Sequence, residues 1–222
     1  MSDDITANGL PDSLPDEPMR WLERWIEDAA AGEVQRNPNS MTLATVDADG
    51  RPSARVVLCK SMDPARGYIV FFTNYESRKC LDIAANPNVS LTFHWDALGR
   101  QARIEGLALR SPTDESDAYF ASRNRGSQLG AWGSDQSRPI ESRKALLAQI
   151  ESRNQQHHDE ALAVPRPPHW GGIRVWAYAI ELWVEGADRV HDRARWERML
   201  SVDDSSADDF DASPWIGRRL QP

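Results

Sequence analysis

At 222 residues the chain is long enough for one substantial hydrophobic core or two small ones. Its formal charge of -8 argues against a general nucleic-acid binder, whose footprint would be basic. There is no apolar run long enough to span a membrane and no signal-peptide pattern, and Cys59 and Cys80 stand apart without CxxC or Cys/His ligand spacing. The expectation is a cytoplasmic protein with neither disulfide framework nor metal site.

Residues 1–17 carry Asp, Pro and Gly without periodicity and are expected to form a disordered tail. Pro18 to Ala31 reads as a helix with Trp21, Leu22, Trp25 and Ile26 on its apolar stripe and Gly32 as its stop. Met41 to Val46 is a strand, Asp49-Gly50 a hairpin turn, and Ser53 to Lys60 the partner strand carrying Arg55 and Lys60. Tyr68 to Thr73 is a continuous apolar run, and Ser77-Arg78-Lys79 leads into a short helix that Asn86-Pro87 ends. Val89, Leu91, Phe93 and Trp95 then alternate with polar residues as a half-buried strand.

The stretch from Arg100 to Arg138 begins as another strand, with Gln101, Arg103 and Glu105 alternating with Ala102 and Ile104. The alternation slips at Gly106, where Leu107 and Leu109 take over the apolar positions, so a bulge is expected there. Ser111-Pro112-Thr113-Asp114 is a helix start with Ser111 as cap, and on that helix Tyr119 and Arg123 are four apart, hence on one face. Ser127 follows in a polar loop. Pro139 to about His158 reads as a long helix with Ile140, Leu147 and Ile150 inward, and Val164 to Pro168 as a Pro-rich connection. Gly171-Gly172 opens a last hairpin region with strands over Ile173–Trp176 and Ile180–Trp183, and 200–214 reads as an exposed acidic loop. Several short strands with a few peripheral helices predict one mainly β, α+β domain over 18–222, barrel-like in form.

Four groups of residues suit anions. Tyr119, Arg123 and Ser127 bring a phenol, a guanidinium and a hydroxyl to one helix end, a set that fits phosphate; the alternative is a solvated helix face. Ser77-Arg78-Lys79 joins a helix N-cap to two cations; on its own this reads first as an ordinary cap with surface charges, and second as a site for a mononucleotide phosphate. Arg55 and Lys60, five apart, point to opposite faces of a regular strand unless it twists or bulges. With extended geometry, Arg189, His191 and Arg193 share one face; a surface ion-pair ladder with Asp192, Glu197 and Glu181 is the competing reading. No His falls in a metal-binding spacing, and His157 and His158 are expected at the surface.

The phrases RVVLCK (55–60), FFTNYESRK (71–79), RQARIEG (100–106), the Tyr119–Ser127 cluster, GAWGSDQS (130–137), WGG (170–172), ELWVEGADRVHDR and the closing RLQP occur in that order. Together they resemble the pyridoxine/pyridoxamine 5'-phosphate oxidase family, FMN enzymes with a split β-barrel fold, from about Pro38 to Pro222. The resemblance implies a homodimer with FMN in a cleft to which both subunits contribute. It implies FMN-binding positions at Arg55, Lys60, Phe72, Thr73, Arg78, Lys79, Gln101, Gln136, Ser137, Trp183 and Arg193. Lys60, Tyr119, Arg123 and Ser127 would hold the substrate phosphate, with Arg189 and His191 as catalytic residues over the pyridine ring. The implied reaction oxidises pyridoxine or pyridoxamine 5'-phosphate to pyridoxal 5'-phosphate, with oxygen as acceptor and hydrogen peroxide as product.

The chain departs from the family pattern in three places. Leu182-Trp183-Val184-Glu185-Gly186 stands where Phe-Trp-Gln-Gly is usual, and Asn124 replaces a Pro, which is expected to loosen the phosphate loop. Residues 1–20 show no counterpart of an Arg-x-x-Tyr segment that folds over the substrate. Two alternatives therefore stand beside the vitamin B6 oxidase: a sister flavin oxidase of phenazine biosynthesis, and an FMN-binding protein without turnover.

Overall fold

The computed structural model describes residues 9–157, 159, 161–202 and 210–222. Expectations for residues 1–8, for His158 and for 203–209 of the acidic loop lie outside the described residues. Among the described residues no helix is long and apolar enough to cross a membrane.

Helix α1 (Pro18–Ala31) has Pro18 at its start, where a missing N–H costs nothing, and buries Met19, Trp21, Leu22, Trp25 and Ala29. β1 (Ser40–Val46) and β2 (Pro52–Leu58) form a hairpin in which the Asp47 carboxylate accepts the N–H groups of Asp49 and Arg51. β3 (Ser61–Asp63) pairs with β4 (Tyr68–Asn74); α2 (Arg78–Ala85) and β5 (Asn88–Trp95) follow. β6 (Arg100–Arg110), α3 (Thr113–Ser122), α4 (Arg125–Gly133) and α5 (Arg143–Asn154) lead to β7 (Trp170–Val184) and β8 (Asp192–Glu197). The chain closes with β9 (Leu200–Val202), β10 (Phe210–Ala212) and β11 (Ile216–Leu220).

The sheet is antiparallel and runs β11-β8-β7-β6-β5-β1-β2. The 15-residue β7 is its spine. One edge of β7 pairs with β6 along its length, while the other edge pairs first with β4 and then with β8. This branching divides the sheet, and among the described residues no ladder joins β2 to β4, so the sheet is not closed. α1 covers a core in which Leu22, Leu43, Phe71, Phe93 and Ile104 are fully buried, each worth roughly 1.5–3 kcal/mol. Trp25 meets Trp95 edge to face at 6.3 Å.

Several expectations need correction. The hairpin after Gly171-Gly172 is instead the single strand β7, because its apolar run is covered on both faces and needs no turn. The irregularity at Gly106 is present, but the extra residue is Tyr178 on β7: Glu105 faces Ala179 and Gly106 faces Ala177. β6 itself keeps strict alternation, with Ala102, Ile104, Gly106 and Ala108 buried, and Leu109 packs on the opposite face against Tyr68, Val70 and Trp176. Gly106 is required here, since a Cβ would lie 2.4 Å from the Trp176 carbonyl oxygen. Pro112 rather than Ser111 takes the cap position of α3, and the Ser111 hydroxyl is buried without a partner among the described residues.

The polar loop expected around Ser127 is helix α4, capped by Asn124. α5 begins only at Arg143, where the Ser142 hydroxyl accepts the Ala145 N–H; Ile140 and Leu147 are exposed, and Ile150 packs against Gly133. Residues 9–17 are not a free tail. The N–H of Leu10 donates to the Asp192 carboxylate at 2.6 Å, Arg219 donates to the Pro11 carbonyl at 2.8 Å, and the Trp196 indole donates to the Pro15 carbonyl at 2.7 Å. The flanks of the acidic segment, β9 and β10, pair with each other as a small ribbon.

Candidate active site

The end of β4 sends the chain into α2 through a side-chain-built turn. Asn74 accepts the Glu76 N–H through Oδ1 at 2.7 Å and the Ser77 hydroxyl through its carbonyl at 2.6 Å. Lys79 then folds back, its Nζ donating to Thr73 Oγ1 at 3.0 Å, Ser77 Oγ at 2.9 Å and Gln136 Oε1 at 2.6 Å. Burial lowers its pKa, and the neighbouring Arg55 charge adds to the effect. Arg55 is itself lowered by burial; it donates to Thr45 Oγ1 at 2.7 Å and Ser53 Oγ at 2.8 Å and lies 3.7 Å from the Asp82 carboxylate.

The question of opposite faces for Arg55 and Lys60 resolves simply. β2 ends at Leu58, so Lys60 sits on the connector, its N–H bonded to the Val70 carbonyl at 2.9 Å, while Arg55 faces α2. Arg78 and Ser137 are both exposed, the latter with a left-handed φ of 73°.

α3 stops at Ser122 and Arg123 turns extended, so Tyr119 and Arg123 meet across a helix end rather than along one helical face. The Tyr119 ring stacks on Phe72 at 3.8 Å, Trp170 lies 5.6 Å from Phe72, and the Arg123 guanidinium sits 4.6 Å over the Trp170 ring. Burial lowers the pKa of Arg123, an effect the nearby Tyr119 phenol opposes, and its Nη1 is buried without a partner among the described residues. Lys60, Phe72, Thr73, Lys79, Tyr119, Arg123, Ser127 and Gln136 all line one cleft of about 650 Å³, a volume in the usual range for small ligands. Val56, Val57, Leu58, Ser122, Asn124 and Trp170 complete the lining, which contains three cations and no carboxylate. The side chains of Lys60, Tyr119, Arg123 and Ser127 have no hydrogen-bond or ion-pair partner among the described residues.

The remaining predicted residues gather at the other end of β7. Gln101 pairs with Trp183, and the His191 ring lies 4.5 Å from the Trp183 ring. His191 Nδ1 accepts the Gly186 N–H at 3.2 Å, which leaves the proton of the neutral ring on Nε2. Arg193 donates to the buried Glu181 at 3.0 and 2.8 Å and to the Gln221 carbonyl at 2.9 Å, so of the ion-pair ladder weighed above only this pair is present; Asp192 pairs with Arg219, and Glu197 with Arg195 and Arg218. Arg189 does not share a strand face with His191. It ends a short turn over Ala187–Arg189 with a left-handed φ of 63°, and it is exposed. Trp170 and Trp183 are separated along β7 by about 43 Å of extended chain, so one protomer holds these groups apart.

Residues 26–157 match the family profile described as pyridoxamine 5'-phosphate oxidase, and residues 170–222 the one described as the pyridoxine 5'-phosphate oxidase C-terminal dimerisation region. The chain belongs to the pyridoxamine 5'-phosphate oxidase family. Family naming makes it an oxidase, and the dimerisation region supports a homodimer. A pyridoxine/pyridoxamine 5'-phosphate oxidase of Burkholderia vietnamiensis is 48% identical over 211 residues, 95% of this chain and 91% of its own length. Another, of Cupriavidus necator, is 51% identical over 183 residues, 82% of each chain. Among solved structures, PhzG from Burkholderia lata in complex with tetrahydrophenazine-1-carboxylic acid is 32% identical with a TM-score of 0.81, covering 95% of both chains. A pyridoxamine 5'-phosphate oxidase-related, FMN binding protein from Nostoc punctiforme is 14% identical with a TM-score of 0.69 over 91% of this chain and 97% of that one, a likeness of fold alone.

Sequence reasoning passed over Trp170, which supports Arg123, and Asp82 and Thr45, which hold Arg55. The signal for Trp170 was present in the WGG phrase; none marks Asp82, whose partners are brought to it only by the packing of α2 on β1.

Proposed function

We propose that the protein is an FMN-dependent oxidase converting pyridoxine or pyridoxamine 5'-phosphate to pyridoxal 5'-phosphate, with oxygen as acceptor and hydrogen peroxide as product. The observation that carries this reading is the unanswered donor set of Lys60, Tyr119, Arg123 and Ser127 beside a carboxylate-free cleft, in a chain of net charge -8. A phosphate dianion would answer it.

The donors near α2 fit the phosphate of FMN. Arg55, Arg78 and Lys79 gather there with Asp82 as the paired carboxylate, and burial lowers the pKa of Arg55 and Lys79, a cost that a bound anion removes. On this reading Lys60, Phe72, Thr73, Gln136 and Ser137 complete one subunit's share, and Gln101, Trp183 and Arg193 come from the other, since β7 holds the two groups apart. FMN, when bound, supplies the hydride acceptor and the route of electrons to oxygen. Lys60, Tyr119, Arg123 and Ser127 anchor the substrate phosphate and so orient the reacting carbon. Arg189 positions the pyridine ring and stabilises developing charge, with His191, whose ring lies 4.5 Å from that of Trp183, as its helper.

The test is anaerobic. The FMN-loaded protein is given pyridoxine 5'-phosphate while flavin absorbance and pyridoxal 5'-phosphate are followed. Bleaching with aldehyde formation, and colour restored by air, is the expected result. Arg123→Ala should raise KM roughly 10- to 150-fold, the effect of losing about 1.5–3 kcal/mol of charged hydrogen bonding. A flavin that stays oxidised with both B6 phosphates overturns the reading. The likeness to PhzG keeps a phenazine precursor as the second reading, and bleaching by such a precursor alone would establish it.

A further inference from the structure

We propose that Asn124 is a ligand of the substrate phosphate, a further specificity residue of the cleft; this rests on the function proposed above. Asn124 stands between Arg123 and the first residue of α4 and lines the same cleft as Tyr119, Arg123 and Ser127. Its Oδ1 accepts the Ser127 N–H at 2.8 Å, as an N-cap does. That bond does two things. It fixes which end of the amide faces the helix, and it leaves Nδ2, with two N–H donors, on the other side and without a partner among the described residues.

The charged and titratable groups around this amide favour an anion. Arg123 precedes it with a buried Nη1 unpartnered among the described residues, Tyr119 comes from α3, and Lys60 lines the same cleft. Arg125 is turned away, its guanidinium bonded to the carbonyls of His157, Asp159 and Leu162. A phosphate answering Arg123, Tyr119 and Ser127 therefore meets Nδ2 as its neighbour. The loosened loop expected from Asn at this position does not follow either: Asn124 ties the start of α4 to itself, and the Ser127 N–H is satisfied.

The decisive variant is Asn124→Asp, because Asp caps a helix as well as Asn does but presents a charged acceptor where Nδ2 donates. The FMN-loaded dimer is titrated with pyridoxal 5'-phosphate and, separately, with pyridoxal, which has no phosphate. N124D should keep its melting temperature and its affinity for pyridoxal, yet bind pyridoxal 5'-phosphate at least 10-fold more weakly. The loss should grow as pH rises through about 6, where a phosphate monoester gains its second charge. Asn124→Ser, a neutral cap without the amide donors, should lose affinity for the phosphate ester a few-fold without that pH dependence. It keeps the inference testable if N124D folds poorly.

Unchanged binding of pyridoxal 5'-phosphate by N124D, or equal losses for the ester and for pyridoxal, overturns the role given to Asn124. If Arg123→Ala loses the ester while N124D does not, this inference alone fails. If the unaltered protein binds FMN but no B6 phosphate, the proposed function fails and this inference with it.

Discussion

Lys79 and Arg123 are both held below their ordinary pKa by burial, but they stand differently in the cleft. Lys79 is fully engaged with Thr73, Ser77 and Gln136, so it is pre-oriented, whereas Arg123 rests on Trp170 with Nη1 unpaired. An orphaned buried donor costs about 1–3 kcal/mol, and a ligand that satisfies it recovers that amount. Cysteine behaves in the opposite way. Burial pushes the Cys59 thiol up to about 12 and also raises Cys80, which leaves almost no thiolate at neutral pH. Neither thiol should be alkylated by iodoacetamide in the native protein at pH 8, while both should react once it is denatured. Rapid native labelling of either would contradict this burial. Arg123 was legible as a candidate because a guanidinium near Tyr119 and Ser127 suits an anion; its lack of a partner was not, because that depends on every neighbour.

At the scale of elements, the bulge between β6 and β7 decides more than its size suggests. It gives β7 one extra residue, Tyr178, at the point where the edge away from β6 passes from pairing with β4 to pairing with β8. Gly106 permits the close approach to the Trp176 carbonyl. Gly106→Ala should cost about 1–3 kcal/mol, equivalent to a fall in melting temperature of roughly 2–10 °C for a domain of this size. Thermal unfolding measures it directly, and an unchanged melting temperature would mean the strands relax freely there. The glycine in the sequence marked the irregularity correctly. It could not tell which strand carries the extra residue, since that is a property of the pair. α4 escaped notice for a different reason: Gly126, Gly130 and Gly133 lower its intrinsic helicity, and its stability comes from the Asn124 cap and from α5 packing over Gly133.

The whole molecule presents a division that no single residue reveals. The cleft lies at the Trp170 end of β7, and Gln101, Trp183, His191 and Arg193 lie at the other end. On the proposed reading, a complete site forms only when the two ends come from different subunits. Arg123→Ala and His191→Ala homodimers, assayed at substrate far below the raised KM of Arg123→Ala so that each is weak, should then regain activity when reassorted. Half the dimers would be mixed, each with one intact site, giving about a quarter of wild-type activity. No recovery would mean that one chain supplies both residues to each site.

Alternation, apolar stripes, glycine breaks and caps are local, and the sequence by itself determined what depends on them: α1, the β1–β2 hairpin, β4, β5 and the kinds of residue suited to phosphate. Tertiary structure decided what depends on partners distant along the chain. It made one strand of the expected hairpin at 173–183, and it pinned residues 9–17 to β8 and β11. It also engaged Arg193 with Glu181 while leaving Arg123 unpaired. The physical reason is that burial and hydrogen-bond satisfaction are set by all the neighbours at once, and those neighbours are chosen by the fold.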